Sequence, residues 1–486
     1  MSPARLLAVM TLGVGLLSLG GPKARAEEDV AKPELPRFVL PAPGAPVAPR
    51  LPEVTATTLS GGAKALILTR PEIPLVAVSA RVVWPEGATA TGDAQRDGWL
   101  LSALLGTGTT ARDGEALESA LDRLGALWGL SFSAEGLAIE LEVPLGGEDE
   151  ALALLAEAVF QADFRRREVR RVSRDWRDGY AVVPYDIREL HDRAVNHLIV
   201  PADHPHRSWD IAGDQRGLRV GRAETLLADV LRRGQAFVSV VGPLGEADAV
   251  ALVERHLGGL AGRESAAPTP VYTPGVGTWL VDRPGFASGM ISVSSPGLTR
   301  ADPDLPLAQA LIDTLAATFT SRLMTELREV RGLTYGVSGW IWAGEVQGRL
   351  VVSVDVPEGK VAEAMGVIEE FLNVAFAGGV TAEELRRAQA GAAQRTARRM
   401  LLTGSMAPWL VDLERRGLSL AQHEEDLRRL LAATPADVDR VAARLLAPER
   451  RAWVVAGDRE VIEPQLEQAG REIDRIVGSE VLAQER

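Results

Sequence analysis

The sequence predicts an α+β protein of two homologous domains, each a mostly antiparallel sheet with helices packed on one face. Three observations predict it. The first is a repeated order of landmarks. An alternating apolar run ends at Pro144 and again at Pro357, 213 residues later. Glu168-Val169-Arg170-Arg171 is answered by Glu384-Leu385-Arg386-Arg387, 216 residues on, and buried-strand runs close on Gly242 and Gly457, 215 apart. Nearly one offset at three places means duplicated domains, since the period is far too long for a solenoid. The second is that strand-like runs alternate with long amphipathic stretches, the pattern of a sheet covered by helices. The third is composition: 486 residues, 46% hydrophobic and 24% charged, are enough for a core in each half.

In chain order, residues 1–26 read as a secretory signal. Arg5 precedes an apolar run from Leu6 to Leu19, and Ala24-Arg25-Ala26 supplies a small-residue cleavage site before Glu27-Glu28-Asp29. That run is shorter than the ~20 residues of a membrane span. Without cysteine there is no lipid acceptor, so an exported, periplasmic protein with no stable membrane anchor is expected. Residues 27–52 form a Pro-rich linker, expected to lie outside the fold because proline lacks a ladder donor. The N-terminal domain spans 53–262. Its strands are read at Val76–Trp84, Leu137–Pro144 and Ala236–Gly242, and a helix at Glu150–Phe160. Residues 263–277, rich in Pro and Gly, are a hinge. The C-terminal domain, 278–475, has strands at Leu350–Pro357 and Ala452–Gly457 and a helix at Val361–Phe376. A further helix is expected over Leu307–Glu329, with Leu311, Leu315, Phe319, Leu323 and Leu327 as one buried stripe. Residues 476–486 are a tail.

The charge, 53 Lys and Arg against 66 Asp and Glu, argues against a nucleic-acid partner, which needs a concentrated basic face. It favours basic peptides without locating the field. Zero cysteines removes disulfides, thiolate zinc sites and thiol nucleophiles. His204-Pro205-His206, with Asp203 and nearby His197, is the one cluster arguable as a metal site. Its loop setting and the lack of a helical His pair favour a polar surface loop, so no metal ligand is assigned. No serine sits in a nucleophile elbow, and Gly106-Thr107-Gly108-Thr109 lacks the lysine of a phosphate loop. The chain carries no self-sufficient active site.

The segment Ser321-Arg322-Leu323-Met324-Thr325-Glu326-Leu327-Arg328-Glu329-Val330-Arg331-Gly332-Leu333-Thr334-Tyr335-Gly336 stands apart. A helix is expected to end at Arg331 with Gly332 as its left-handed cap, and a strand carrying Tyr335, Trp340 and Trp342 to follow. Read alone, Arg328 is a solvated helix-end residue and Tyr335 a core filler.

This run resembles the C-terminal domain signature of the pitrilysin and insulinase family of zinc metallopeptidases, especially mitochondrial-processing-peptidase-like members. Leu280-Val281-Asp282-Arg283-Pro284-Gly285 is similar to the entry to that domain. The stretch from Arg96 to Ala126 resembles the family's zinc-helix region, and His204 to Gln215 a loop before its last strands. The resemblance covers Leu51 to Gly470. It implies two homologous domains forming half of a clamshell, with Arg328 and Tyr335 reaching over substrate as catalytic residues. Active members carry His-x-x-Glu-His. Here the corresponding helix reads Gly98-Trp99-Leu100-Leu101-Ser102-Ala103-Leu104-Leu105, and aliphatic side chains neither ligate zinc nor deprotonate water. The resemblance therefore implies a non-catalytic, Arg/Tyr-donating subunit, inactive alone and holding no cofactor. Its partner would be a zinc-bearing sister subunit with His-x-x-Glu-His, and its substrate a peptide. The alternative is a non-enzymatic scaffold.

Overall fold

The computed structural model describes residues 44–83, 92–133, 136–182, 186–201, 219–262, 273–344 and 347–478. The signal segment, most of the Pro-rich segment and hinge, the His204-Pro205-His206 loop and the end of the tail lie outside the described residues. Residues Ala45–Arg486 form one compact unit.

Within that unit the duplication is visible as two six-stranded sheets. The first contains β1 (Thr55–Thr58), β2 (Lys64–Thr69), β3 (Leu75–Val83), β4 (Leu127–Ser133), β5 (Gly136–Pro144) and β6 (Gln235–Gly242). Its strand order is β1-β2-β6-β3-β5-β4. The second contains β7 (Gly277–Asp282), β8 (Ser288–Gly297), β9 (Val337–Ala343), β10 (Gly348–Pro357), β11 (Ala452–Gly457) and β12 (Arg475–Gly478). Its order is β12-β7-β11-β8-β10-β9. The central pairs β2·β6 and β7·β11 are parallel, and the hairpins β4·β5 and β9·β10 antiparallel, in both copies. The outer edge is filled from opposite ends of the chain. β1 joins β2 antiparallel, whereas β12 joins β7 in parallel.

Each sheet packs its own helices on one face, as the α+β reading requires. Val76, Val78, Ala80 and Val82 of β3 meet Leu100, Leu101 and Leu104 of the helix Gly92–Leu104 in one continuous core. The other face is not left to solvent. The helix Thr403–Arg415, from the second half, lays Met406, Trp409, Leu410 and Leu413 on Leu66, Leu68, Ala77 and Val241 of the first sheet. The helix Ile187–Ile199, from the first half, returns the cover. Its Leu190, Ala194, Val195 and Leu198 pack on Val281, Met290, Val454 and Ala456 of the second sheet. This is why β3, β6 and β11 read as nearly unbroken apolar runs: both faces are dry.

Two sequence expectations are corrected. The Pro-rich segment is not wholly outside the fold, because Leu51 is buried in the same cluster as Trp409 and Leu413. The long helix Leu307–Glu329 is broken. A regular helix runs Leu305–Ile312, a wide π turn Asp313–Ala317, then Thr318 leaves helical geometry before Arg322–Met324 resumes. A second π turn covers Thr325–Val330. Leu311, Leu315, Leu323 and Leu327 stay buried, and the stripe loses only the position that falls in the non-helical break between the two π turns. Phe319, expected in the core, is 78% exposed.

Candidate functional site

The break in that helix builds the site. Leu323, Met324, Leu327, Leu333 and Val337 are buried in the second-half core and hold the corner from beneath. Gly332 adopts φ +62°, the left-handed cap that the sequence predicted, and Leu333 N–H donates back to the Leu327 carbonyl at 2.8 Å. β9 begins only at Val337, so Tyr335 lies in the connecting turn and not on a strand. The Thr334 hydroxyl accepts from Gly336 N–H at 3.1 Å and donates to the Gly336 carbonyl at 2.9 Å, tying the turn.

Tyr335 is 91% exposed, which rules out the core-filling role. Among the described residues its hydroxyl meets no hydrogen-bond partner. Arg328 lies against it, with the guanidinium carbon 5.2 Å from the Tyr335 ring centre and 5.6 Å from that of Phe319. Both distances are within cation–π range. One Arg328 nitrogen also reaches Glu329 at 3.2 Å. Its neighbour Arg331 is engaged elsewhere, by Glu326 at 2.9 Å and Glu363 at 3.4 Å. The hydrogen bond to Glu326, its principal partner, raises the Arg331 pKa. The corner thus presents one guanidinium and one phenol hydroxyl, held by two aromatic rings, with hydrogen-bond donors to spare. Such a pair can stabilise negative charge developing on a carbonyl oxygen. Phe319 was missed because periodicity placed it on the buried stripe; the run Thr318-Phe319-Thr320-Ser321, poor in helix formers, was the available signal.

The first-half counterpart of a zinc helix is a core helix. Leu100, Leu101 and Leu104 are fully buried and Leu105 nearly so. The helix is pinned to the sheet edge by Ser102, whose Oγ accepts Phe132 N–H at 3.1 Å. Among the described residues no three His, Asp or Glu side chains gather where they could hold a metal ion. His191 is buried against the second sheet, His256 pairs with Asp149 at 2.9 Å, and His423 contacts Thr396 at 3.2 Å, each in a different place.

Fold and site together define a duplicated α+β protein in which the helix that resembles a zinc-helix region carries core leucines. Residues 226–392 match the family model described as the Peptidase M16 inactive domain. An uncharacterized zinc protease of Mycobacterium leprae is 27% identical over 357 residues, 69% of this chain and 76% of that protein. Among solved structures, the peptidase M16 inactive domain from Pseudomonas fluorescens superposes with a TM-score of 0.75 at 19% identity. It covers 83% of this chain and 98% of its own. A protease from Helicobacter pylori gives 0.70 at 17% identity, covering 84% of this chain and all of its own. These findings support an inactive member of the M16 family, the pitrilysin and insulinase type that the sequence resembles.

Proposed function

We propose that the chain is the Arg/Tyr-donating, non-catalytic subunit of a heterodimeric zinc metallopeptidase, exported to the periplasm and acting on peptides. The observation that carries this reading is the corner at Arg328 and Tyr335. Its two donors are side by side, Tyr335 exposed and Arg328 partly so, while the helix that would hold zinc is packed with leucine. Zinc and the water it activates would come from a sister subunit with His-x-x-Glu-His. This chain would contribute the Arg328 guanidinium and the Tyr335 hydroxyl, each donating a hydrogen bond to the scissile carbonyl oxygen as charge builds there. Removing one such donor costs about 10²–10³ in rate.

The test is peptide turnover by the reconstituted pair. Tyr335→Phe keeps the ring and removes one hydroxyl. It should leave assembly and the partner's zinc content unchanged and lower turnover by about one to three orders of magnitude. Wild-type turnover by Tyr335→Phe and Arg328→Ala, with partner saturating, would leave the scaffold reading in its place.

A further inference from the structure

A spacious cleft lies away from that corner and includes neither Arg328 nor Tyr335. It measures about 1390 Å³ and opens between the first sheet and the helices Ala382–Leu401, Thr403–Arg415 and Leu420–Ala432. Its wall holds eight basic side chains (Lys64, Arg81, Arg300, Arg395, Arg399, Arg415, Arg416 and Arg429) against four acidic ones (Asp302, Asp412, Glu414 and Asp426). In a chain of net charge −13 this is a local reversal of sign.

Several of these cations are already neutralised. Lys64 pairs with Glu414 at 2.8 Å, Arg81 with Glu140 at 3.1 Å and Arg395 with buried Asp313 at 2.6 Å. Asp412 serves both Arg415 and Arg416. Arg399 makes no ion pair among the described residues. Its guanidinium lies 5.1 Å from the Trp409 ring centre, which fixes it in place. Burial lowers its pKa; Asp412 opposes that shift, and Arg416 and Arg395 add to it. The edge of Trp409 also meets His423, 4.9 Å away, whose pKa is lowered by burial and by Arg399 against the pull of Asp426. A solvent-accessible guanidinium, stacked on an aromatic ring, repelled by two others and making no ion pair among the described residues, is a site suited to an anion.

We propose that this cleft binds an acidic peptide segment, with Arg399 as its principal carboxylate contact. Partly exposed apolar wall residues (Ile341, Pro408 and Leu418) lie among the charges and suit side chains of a peptide. The four wall carboxylates oppose a continuous phosphodiester backbone. The proposal runs against the preference for basic peptides that net charge alone suggested, because the field that matters is local.

Calorimetric titration of the full mature chain tests it, using a short Glu-rich peptide, its Gln counterpart, inorganic phosphate and a single-stranded oligonucleotide. The Glu-rich peptide should bind saturably and weaken with salt, and the Gln peptide should not bind. Arg399→Gln should lower affinity about tenfold or more at an unchanged melting temperature. If that variant fails to fold, the wild-type chain still decides. The imidazole resonances of His423 should shift on adding the peptide, and its titration should move to higher pH as the anion offsets Arg399. No binding of the Glu-rich peptide, equal binding by Arg399→Gln, or an unmoved His423 would overturn the proposal. Equal or tighter binding of phosphate or the oligonucleotide would overturn its assignment to peptide.

Discussion

The two halves turn from helix into edge strand by the same device and reach different ends. In the first half the helix Gly114–Arg123 closes on Gly125 at φ +67°, Ala126 is buried behind it, and β4 starts at once. In the second, Gly332 at φ +62° is followed by buried Leu333, and then by Thr334, Tyr335 and Gly336 before β9 starts. The helix starts Gly92 and Leu305 are 213 residues apart, the glycines 207, and the strand starts Leu127 and Val337 210. The second copy thus has six fewer residues before its glycine and three more after it. Those three residues include the exposed tyrosine. The return bonds differ in the same sense: Ala126 N–H reaches five residues back to Leu121, Leu333 N–H six back to Leu327, around a π turn. A corner that is a plain reversal in one copy becomes, through a local change of length, a platform for two donors in the other.

The comparison can be broken or sharpened experimentally. The largest effect is expected in the leucine helix. If it is core and nothing else, Leu101→Ala should cost about 2–5 kcal/mol in urea unfolding, the usual range for a buried leucine. A cost near zero would mean that the site retains room for something other than packing. Deleting Thr334, Tyr335 and Gly336 makes the second corner copy the first. The variant should fold, shown by an unchanged circular dichroism spectrum, while turnover by the reconstituted pair falls at least as far as in Tyr335→Phe.

A third effect concerns the support beneath the corner. Arg322 grips Glu384 through two bonds of 2.6 and 2.7 Å, and the Thr381 N–H and hydroxyl donate to the same carboxylate. Burial alone would raise the Glu384 pKa, but these donors outweigh it and bring it to about 2. A folded pKa below the ordinary 4.5 stabilises the fold above that value, and the contribution disappears as pH falls from about 4.5 to about 2. Glu384→Gln should therefore lower the melting temperature at neutral pH and flatten its dependence across that window. An acid limb identical to wild type would place the acid sensitivity elsewhere. The smallest effect is at the glycines. A Cβ at Gly332 meets open space and one at Gly125 only ordinary contact with Pro144 at 3.5 Å, so each substitution to Ala should cost only the backbone strain of positive φ, about 1 kcal/mol, and the two should match.

The duplication was legible because strands and their flanking helices keep a common period, so landmarks recur at nearly one spacing. The core role of the helix Gly92–Leu104 was legible because Leu101, Leu104 and Leu105 offer nothing but packing, and all three are buried. The left-handed cap at Gly332 followed from a glycine ending an amphipathic run. The broken helix was not legible. Leu311, Leu315, Phe319, Leu323 and Leu327 fit one stripe, and nothing in that spacing records the break at Thr318 that puts Phe319 outside the core. The Arg399 cleft was hidden for another reason. Its members come from three helices, the first sheet, residues 300–309 and β9, and a sequence pattern reports only neighbours along one element.

The exchanged helices Ile187–Ile199 and Thr403–Arg415 bear on how the molecule comes apart. Burying a Leu or Met side chain is worth about 1.5–3 kcal/mol, and each of these helices buries several on the opposite sheet. Melting either half would therefore wet a face of the other. The count of duplicated domains and the count of cooperative units then differ: heating should give one transition, with calorimetric and van't Hoff enthalpies that agree. A chain cut between the halves should stay associated until both melt together.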